Sequence, residues 1–388
     1  MIGILFKIPK KIILSVLAIA LALAAGAWLT SPVRADSPAQ TADQMPTDDY
    51  CLGCHSKPGQ AVTMQNGDTL SISIDQQVFA ASVHGSSGLT CTACHSEITT
   101  FPHPANTARS AREYSIQNGP ACKNCHKDKY DLIMDSVHQT ALNQGNQNAP
   151  VCSDCHNPHR QSRLIDITTK KIIPAMRVEI PQTCARCHNG IYETYKNSVH
   201  GSALIGDGNL DVPTCVDCHG VHNIGDPLTV QFRLKSPELC AKCHTDASIM
   251  GKYKLSTQVL NTYVADFHGT TVTLFEKQSP DQQTNKPVCF DCHGIHDIMK
   301  TDDPKMGLQL KQNLLVACKR CHPTVTDTSF TASWTSHFIA SPDKNPLVYY
   351  VNLFYLILIP GVIGGMALFV LSDIIRRRID KHKGASHS

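Results

Sequence analysis

The sequence predicts a mainly α-helical protein with extensive irregular loops, built from a repeat of two motifs and followed by one membrane-spanning helix. Three observations predict this fold class. The pattern Cys-x-x-Cys-His occurs nine times and uses all 18 cysteines of the chain. Glycine, proline, asparagine and aspartate lie scattered between the motifs, which favours short helices for the motifs and irregular connections between them. Residues 347–371 form an apolar run without a charged side chain.

Each motif carries the groups needed to attach one haem covalently. Two thiols three positions apart can bond to one edge of a porphyrin, and the following His can turn its ring onto the iron. Disulfides give no reason for a His after every second Cys. Zinc sites would need two Cys pairs, or a pair plus histidines, per ion, and nine is an odd number of pairs. The sequence therefore predicts nine haems c, attached through Cys51, Cys54, Cys91, Cys94, Cys122, Cys125, Cys152, Cys155, Cys184, Cys187, Cys215, Cys218, Cys240, Cys243, Cys289, Cys292, Cys318 and Cys321.

The histidine count predicts two His ligands for each iron. Of the 20 His, nine close the motifs and two, His382 and His387, lie in a basic C-terminal tail. Nine remain for nine irons, the number that bis-histidine ligation requires. The predicted proximal ligands are His55, His95, His126, His156, His188, His219, His244, His293 and His322. The predicted distal ligands are His84, His103, His138, His159, His200, His222, His268, His296 and His337.

The predicted distal ligands occur in two sequence contexts. Some follow a short helical-looking run, as in Ser-Val-His at His138 and His200, and others lie three residues beyond a motif His, as do His159, His222 and His296. Side chains three positions apart cannot easily reach opposite faces of one haem, so the second group is expected to ligate a neighbouring haem. His138 and His200 follow a motif His by 12 residues. For these two histidines, ligation of the haem of that motif and ligation of the next haem are both possible.

The two contexts alternate along the chain and reveal an internal repeat. Each unit consists of a motif, a Ser-Val-His segment or its variant, a second motif and a trailing His. So few residues separate the motifs that the haems themselves are expected to form the core. His337 is expected to be the distal ligand of the haem at Cys318. Units 1 to 4 begin at Cys51, Cys122, Cys184 and Cys240, and a half unit begins at Cys318.

One stretch between motifs predicts regular structure. In residues 61–74, Asn66-Gly67 lies between segments of alternating apolar residues, which is typical of a β-hairpin. Asp75 is then expected to cap a helix that runs through Phe79 to His84.

The N-terminus predicts export. Three lysines precede an apolar run at 12–29, and Val33-Arg34-Ala35 offers small residues for cleavage, so residues 1–35 are interpreted as a signal peptide. An uncleaved anchor is the alternative. Residues 36–50 would be a linker and 51–346 the domain with nine haems.

The C-terminus predicts a membrane anchor. The 25 residues of 347–371 exceed the about 20 that span a bilayer. Arg376-Arg377-Arg378 follow, so the positive-inside rule places the tail at 372–388 in the cytoplasm and the haem domain on the outer face of a bacterial plasma membrane. The helix contains no His and cannot bind a further haem by two His. We therefore expect an integral membrane partner, a cytochrome b or another quinone-reactive subunit.

Net charge is a poor guide to partners here. The formal charge of +3 omits the propionates that each haem brings. Nucleic-acid binding is not expected.

These residues resemble the multihaem c-type cytochromes with bis-histidine ligation, which include cytochrome c3-like and periplasmic decahaem respiratory carriers. The resemblance implies electron transfer between a membrane quinone-reactive module and periplasmic or extracellular redox proteins in anaerobic respiration. The chain departs from quinol dehydrogenases that carry four or five haems on an N-terminal anchor, because its predicted anchor is C-terminal. The resemblance covers residues 51–337 and rests on the nine motifs, the His-x-x-His extensions at His156, His219 and His293, and the segments Phe-Ala-Ala-Ser-Val-His84-Gly and Phe101-Pro-His103-Pro.

The alternative is a multihaem reductase of nitrite, hydroxylamine or a sulfur oxyanion, with one open haem. Such sites often replace the motif His with Lys or lack a distal ligand, whereas all nine motifs here end in His. A role in storage or filament assembly is disfavoured by the predicted membrane helix. The histidine count has no surplus, so a haem without its distal His would be open or would take Met. The Met candidates are Met64, Met134, Met176, Met250, Met299 and Met306.

Overall fold

The computed structural model describes residues 47–329, 337, 339–343 and 345–384, with side chains as far as residue 380. The predicted signal peptide at 1–35 lies outside the described residues. The chain divides into two compact parts, Met1–His55 and Ser56–Ser388. In the first part, the described residues form helix α1 (Asp48–His55), which carries the first motif.

The second part begins with the predicted β-hairpin. Strand β1 (Ala61–Thr63) pairs antiparallel with β2 (Thr69–Ser71), and Val62 lies opposite Leu70. Gly67 in the turn has a φ of +89°, which glycine adopts without a steric penalty. The Asn-Gly signal therefore predicted this element correctly.

Asp75 caps the helix that follows the hairpin, as predicted. Its carboxylate accepts two backbone N–H groups of the first turn of α2 (Gln76–Ala81). The predicted extension of this helix to His84 is wrong. Ser82 has extended backbone (φ −66°, ψ 162°), and its hydroxyl accepts the N–H of Gly85 at 3.1 Å. Ser82 therefore ends one helix and caps the turn that contains His84.

The motifs lie on helices or helical turns, but these are not uniformly short. In units 3 and 4 the first motif lies on a longer helix, α8 (Pro174–Lys196, kinked at His188) or α11 (Val230–His244). The second motif of each unit begins a helix of four or five residues. These short helices are α3 (Cys91–Cys94), α7 (Cys152–Cys155), α10 (Cys215–His219) and α15 (Cys289–His293).

The other helices connect these motif segments. They are α4 (Ala111–Asn118), α5 (Lys127–Met134), α6 (Val137–Asn143), α9 (Val199–Ile205), α12 (Ala247–Met250), α13 (Val259–Ala265), α14 (Phe267–Gln278) and α16 (Lys311–Lys319), with 3-10 turns at Gly85–Ser87, Gly119–Asn124 and Gly251–Tyr253.

The Ser-Val-His segments are helix starts. The Ser136 hydroxyl accepts the N–H of Gln139 at 3.1 Å, and the Ser198 hydroxyl accepts the N–H of Gly201 at 3.0 Å. In unit 4, Asp266 takes the place of Ser and caps α14. Because Ser and Asp are favoured N-cap residues, this segment in units 2, 3 and 4 places its His at the second position of a helix.

Gly201 is required by a close approach of two backbone segments. A Cβ atom at this position would lie 1.9 Å from the carbonyl oxygen of Tyr195. We expect Gly201→Ala to lower the free energy of unfolding of the holoprotein by about 1–3 kcal/mol, the usual cost of overpacking. Guanidinium denaturation measures this change.

Gly190→Ala is the matched control for Gly201→Ala. Gly190 lies in α8, and a Cβ there would meet no atom within 4 Å. Because Ala is the better helix former, this change should leave stability unchanged or raise it by up to about 1 kcal/mol. Equal effects of the two substitutions would contradict the close-approach argument.

The hydrophobic core among the described residues is small. Leu234, Val272 and Val288 are 1–2% exposed and pack together where α11, α14 and the start of α15 meet. Elsewhere large apolar side chains are open to solvent, as are Leu228 at 91% and Phe267 at 69%. Side chains alone therefore fill little of the interior.

The chain ends in one long helix, α17 (Pro346–Gly384). Its stretch Pro346–Asp380 is long and apolar enough to cross a membrane, and none of it is buried by the rest of the protein. The span predicted at 347–371 lies within this helix. The mainly helical fold with little sheet and one long apolar C-terminal helix is confirmed.

Candidate haem sites

The predicted ligands come together in pairs of imidazole rings. Each of eight pairs contains one motif His and one His from outside the motifs, with ring centres 6.0–6.4 Å apart. The pairs are His84 with His126, His95 with His159, His138 with His188, His156 with His222, His200 with His244, His219 with His296, His268 with His322, and His293 with His337.

The spacing fits a metal ion held between two imidazoles. A metal–nitrogen bond is about 2.0 Å and a ring centre lies roughly 1.1 Å behind its nitrogen, so two ligands in line give about 6.2 Å. Rings that merely pack also reach such distances. Packing, however, gives no reason why every pair should join a motif His to a His outside the motifs. The residues present therefore fit a haem iron with two axial His ligands.

The His84 ring is held so that its second nitrogen points its lone pair toward a metal site. The Nδ1 of His84 lies 3.0 Å from the carbonyl oxygen of Pro158, which can only accept, so Nδ1 donates and Nε2 keeps its lone pair. Such bonds fix both the tautomer and the orientation of the ring.

In nine of the paired rings, burial lowers the pKa and so favours the neutral form, which is the form that binds a metal. Burial and the neighbouring His244 ring lower the pKa of His200 to about 4. Burial, followed by the His337 and His244 rings, lowers the pKa of His293 to about 4. Burial also lowers the pKa of further members of the pairs, namely His138, His159, His219, His222, His244, His296 and His337.

The eight pairs include 16 of the 18 predicted ligands. The other two are His55, in the first compact part of the chain, and His103, in the second. For these two residues, ligation stays a prediction from the sequence.

The structure decides two questions about which rings meet. His138 and His200 lie beside His188 and His244, so each meets the motif His of the next unit and not the one 12 residues before it. The expectation that His337 is the distal ligand at the Cys318 motif is wrong, because its ring does not lie beside His322, the His of that motif. The His337 ring lies beside His293.

All 18 cysteines lie among the described residues, and none of them is in a disulfide. Within units 2, 3 and 4 the first thiols of the two motifs lie beside each other. These contacts join Cys122 to Cys152, Cys184 to Cys215, and Cys240 to Cys289.

Between units, the second thiol of one unit's second motif lies beside the first motif of the next unit. The neighbouring thiols contribute to raising the pKa of each of these cysteines, behind the larger effect of burial. Cys94 lies near Cys122, Cys155 near Cys184, Cys218 near Cys240, and Cys292 near Cys318. From the second motif to the ninth, the attachment points therefore follow one another in sequence order.

Arg–Asp ion pairs fix the two motifs of a unit against each other, and the sequence analysis missed them. In unit 3, Arg177 on α8 donates to the Asp217 carboxylate at 2.9 Å and to the Val212 carbonyl at 2.8 Å. The same carboxylate accepts the N–H of Thr214 at 2.6 Å, which caps the helix of the second motif. Units 2 and 4 repeat the ion pair with Arg112 and Asp154 at 2.7 Å, and with Arg233 and Asp291 at 2.6 Å.

Removing one carboxylate tests this interaction. Asp217→Ala leaves the Arg177 guanidinium, whose side chain is 18% exposed, without its charged partner and removes the helix cap. We expect the free energy of unfolding to fall by about 2–3 kcal/mol, as measured by guanidinium denaturation at unchanged haem content.

Glu193→Ala is the control, because Glu193 forms an exposed pair with Lys196 at 3.4 Å. Exposed pairs contribute little, so its effect should stay within about 0.5 kcal/mol. A loss of similar size in both variants would show that Asp217 has no special role.

Two segments of the chain are similar to known families. Residues 77–157 match the family of cytochrome c7 and related cytochrome c, and residues 208–249 match the family of the doubled CXXCH motif. No curated protein and no solved structure matches the chain. The matched segments contain five of the nine motifs. The chain therefore contains multihaem c-type cytochrome segments, which imply covalently bound haem c and electron transfer.

Proposed function

We propose that this protein is a membrane-anchored electron carrier with nine covalently attached haems, each ligated by two His. It would link a quinone-reactive membrane partner to periplasmic or extracellular redox proteins in anaerobic respiration. The observation that supports this most strongly is the set of eight His pairs with ring centres 6.0–6.4 Å apart. When bound, the haems supply reversible one-electron chemistry at their irons.

The polypeptide's part in this function is to position the attachment points in a row. Cys122 lies beside Cys152 and Cys155 lies near Cys184, so successive motifs are adjacent both within and between units. The Arg–Asp pairs hold the two motifs of units 2, 3 and 4 in register. Such a row supports transfer along the chain, because from the second motif to the ninth each attachment point lies next to the following one.

The paired rings favour a carrier over a reductase. A second ring faces each of eight motif His at a distance suited to ligation, so the corresponding irons would have no position for a substrate. An enzyme of this class needs one open position at an iron.

Helix α17 supports attachment to a membrane. It is long, apolar and exposed, and three arginines follow its most apolar stretch. By the positive-inside rule the tail would face the cytoplasm of a bacterial cell and the haem domain the outside. A quinone-reactive partner in the membrane would then exchange electrons with the haem domain.

Carbon monoxide tests the carrier against the reductase, because it binds to ferrous haem only where an axial position is open. We expect the reduced holoprotein to bind no stoichiometric CO and to leave nitrite and hydroxylamine unreduced. Binding of one CO per chain, together with reduction of either substrate, would replace the carrier by the reductase.

A further inference from the structure

The eight ring pairs have a regular relation to the repeat. In every pair, the motif His and the other His belong to neighbouring units. We propose that consecutive units exchange distal ligands, one in each direction, across every unit boundary. The proposal rests on the proposed function, because it assigns ligands to the haems that this function requires.

The forward direction uses the Ser-Val-His segments and their variant in unit 4. Each lies between the two motifs of its own unit, yet its ring lies beside the first motif His of the next unit. The four forward pairs are His84 with His126, His138 with His188, His200 with His244, and His268 with His322.

The backward direction uses the trailing histidines. Each follows the last motif of its own unit, and its ring lies beside the second motif His of the preceding unit. The four backward pairs are His159 with His95, His222 with His156, His296 with His219, and His337 with His293.

The two segments that exchange ligands are hydrogen-bonded to each other. At the boundary of units 2 and 3, the N–H of Val137, just before His138, donates to the carbonyl of Ile224, two residues after His222, at 2.7 Å. The same bond joins Val83 to Gln161 at 2.8 Å and Val199 to Ile298 at 2.7 Å at the neighbouring boundaries. A forward and a backward ligand are therefore held on one pair of joined segments.

At the boundary of units 1 and 2, a second hydrogen bond involves one of the ligand side chains directly. The His84 Nδ1 donates to the carbonyl of Pro158, the residue immediately before His159. His84 lies beside His126 and His159 lies beside His95, so one hydrogen bond ties the distal ligands of two successive haems together.

Motif residues add a further contact at two boundaries. Arg186, within the first motif of unit 3, donates to the Asp154 carbonyl in the second motif of unit 2 at 2.7 Å. Arg320, in the half unit, donates to the Asp291 carbonyl at 2.9 Å. The facing motifs of neighbouring units are therefore held in place independently of the ligands.

The exchange makes each unit incomplete by itself. Units 2 and 3 each lend one ligand to the unit before and one to the unit after, and receive one from each. Ligation thus crosses every boundary twice. The spacing between haems of different units is then set by coordination bonds as well as by the polypeptide.

The test counts open haems in the full-length holoprotein, as CO bound per chain after reduction and as high-spin haem after oxidation. In the otherwise wild-type protein, we expect His138→Ala to create one haem with an open axial position. It should also add one in a His126→Ala background, because His126 belongs to a different pair. In a His188→Ala background it should add none, since that haem is already open or lost.

The opposite result would be one further open haem when His138→Ala is made in the His188→Ala background, and none when it is made in the His126→Ala background. That result would overturn the exchange, because it would assign His138 to the motif of its own unit. This comparison holds whether or not a motif without its His keeps its haem. The haem count and the CO binding of the wild-type protein test the proposed function separately from the ligand exchange. Fewer than nine haems, or CO binding without any substitution, would count against the proposed function itself.

His222→Ala provides an independent set of variants if the first set fails to fold. It should add one open haem in a His219→Ala background and none in a His156→Ala background. The reverse result would assign His222 to the motif three residues before it and would overturn the backward direction of the exchange.

Discussion

His200→Met should raise the reduction potential of one haem while the others keep theirs. The His200 ring lies 6.2 Å from His244 and is half-buried, so a Met side chain at this position can still reach the iron from the same side. A thioether stabilises the ferrous state relative to an imidazole. Axial ligands span about 0.8 V of potential, and we expect a shift on the order of 100 mV within that range. A spectroelectrochemical titration should show one haem reduced ahead of the rest.

The control for this variant is His382→Met. His382 lies near the end of α17, in the basic stretch 372–388, and is not a predicted ligand. Its titration should match that of the wild type. An unchanged titration of His200→Met, at an unchanged haem count, would mean that His200 is not an axial ligand.

Ending the chain after Asp343 should release the protein from the membrane with its haems in place. This change removes all of α17, which no other described segment buries. The loss of an exposed apolar span leaves the ring pairs untouched, because the last of them involves His337. We expect the truncated protein in the soluble fraction, with the haem content of the full chain. Its reduction by quinol in membranes should fall at least about tenfold, since the local concentration near the partner is lost.

A chain that ends after Gly384 is the control, because it keeps α17 and lacks the last four residues. It should stay in the membrane and be reduced like the full chain. Reduction of both truncated proteins by a soluble donor should be unchanged. Quinol-linked reduction that survives the removal of α17 would show that this helix does not bring the protein to its membrane partner.

The sequence was sufficient where the signal is local. The Asn66-Gly67 turn, the cap at Asp75 and the apolar run at 347–371 each depend on a few neighbouring residues, and the structure has the expected element at each place. The end of α2 was missed because Ser82 can either continue that helix or cap the next turn. Its extended backbone shows that the cap prevails.

The pairing of histidines could not be read from spacing along the chain. His138 is 12 residues from one motif His and 50 from the other, and it lies beside the more distant one. Chain proximity favours the nearer partner, but the hydrogen bond between Val137 and Ile224 carries the segment to the next unit. The assignment of His337 to the motif at Cys318 failed for the same reason.

The Arg–Asp pairs left a signal that could have been noticed. In units 2, 3 and 4 the second motif reads Cys-x-Asp-Cys-His, with Asp154, Asp217 and Asp291. Arg177 and Arg233 each stand seven residues before the first motif of their unit. An Asp repeated inside the second motif, with an Arg at the same distance before the first motif in units 3 and 4, is a signal for an ion pair between the two motifs.

The haem count and the spin state of the oxidised full-length protein, measured together, test the central claim most directly. Haem per chain from the pyridine haemochrome and the mass of the intact protein should give nine. Electron paramagnetic resonance should then show only low-spin ferric centres, because each iron has two His ligands. A stable high-spin signal amounting to one haem per chain, or a count below nine, would contradict a fully ligated row of nine haems.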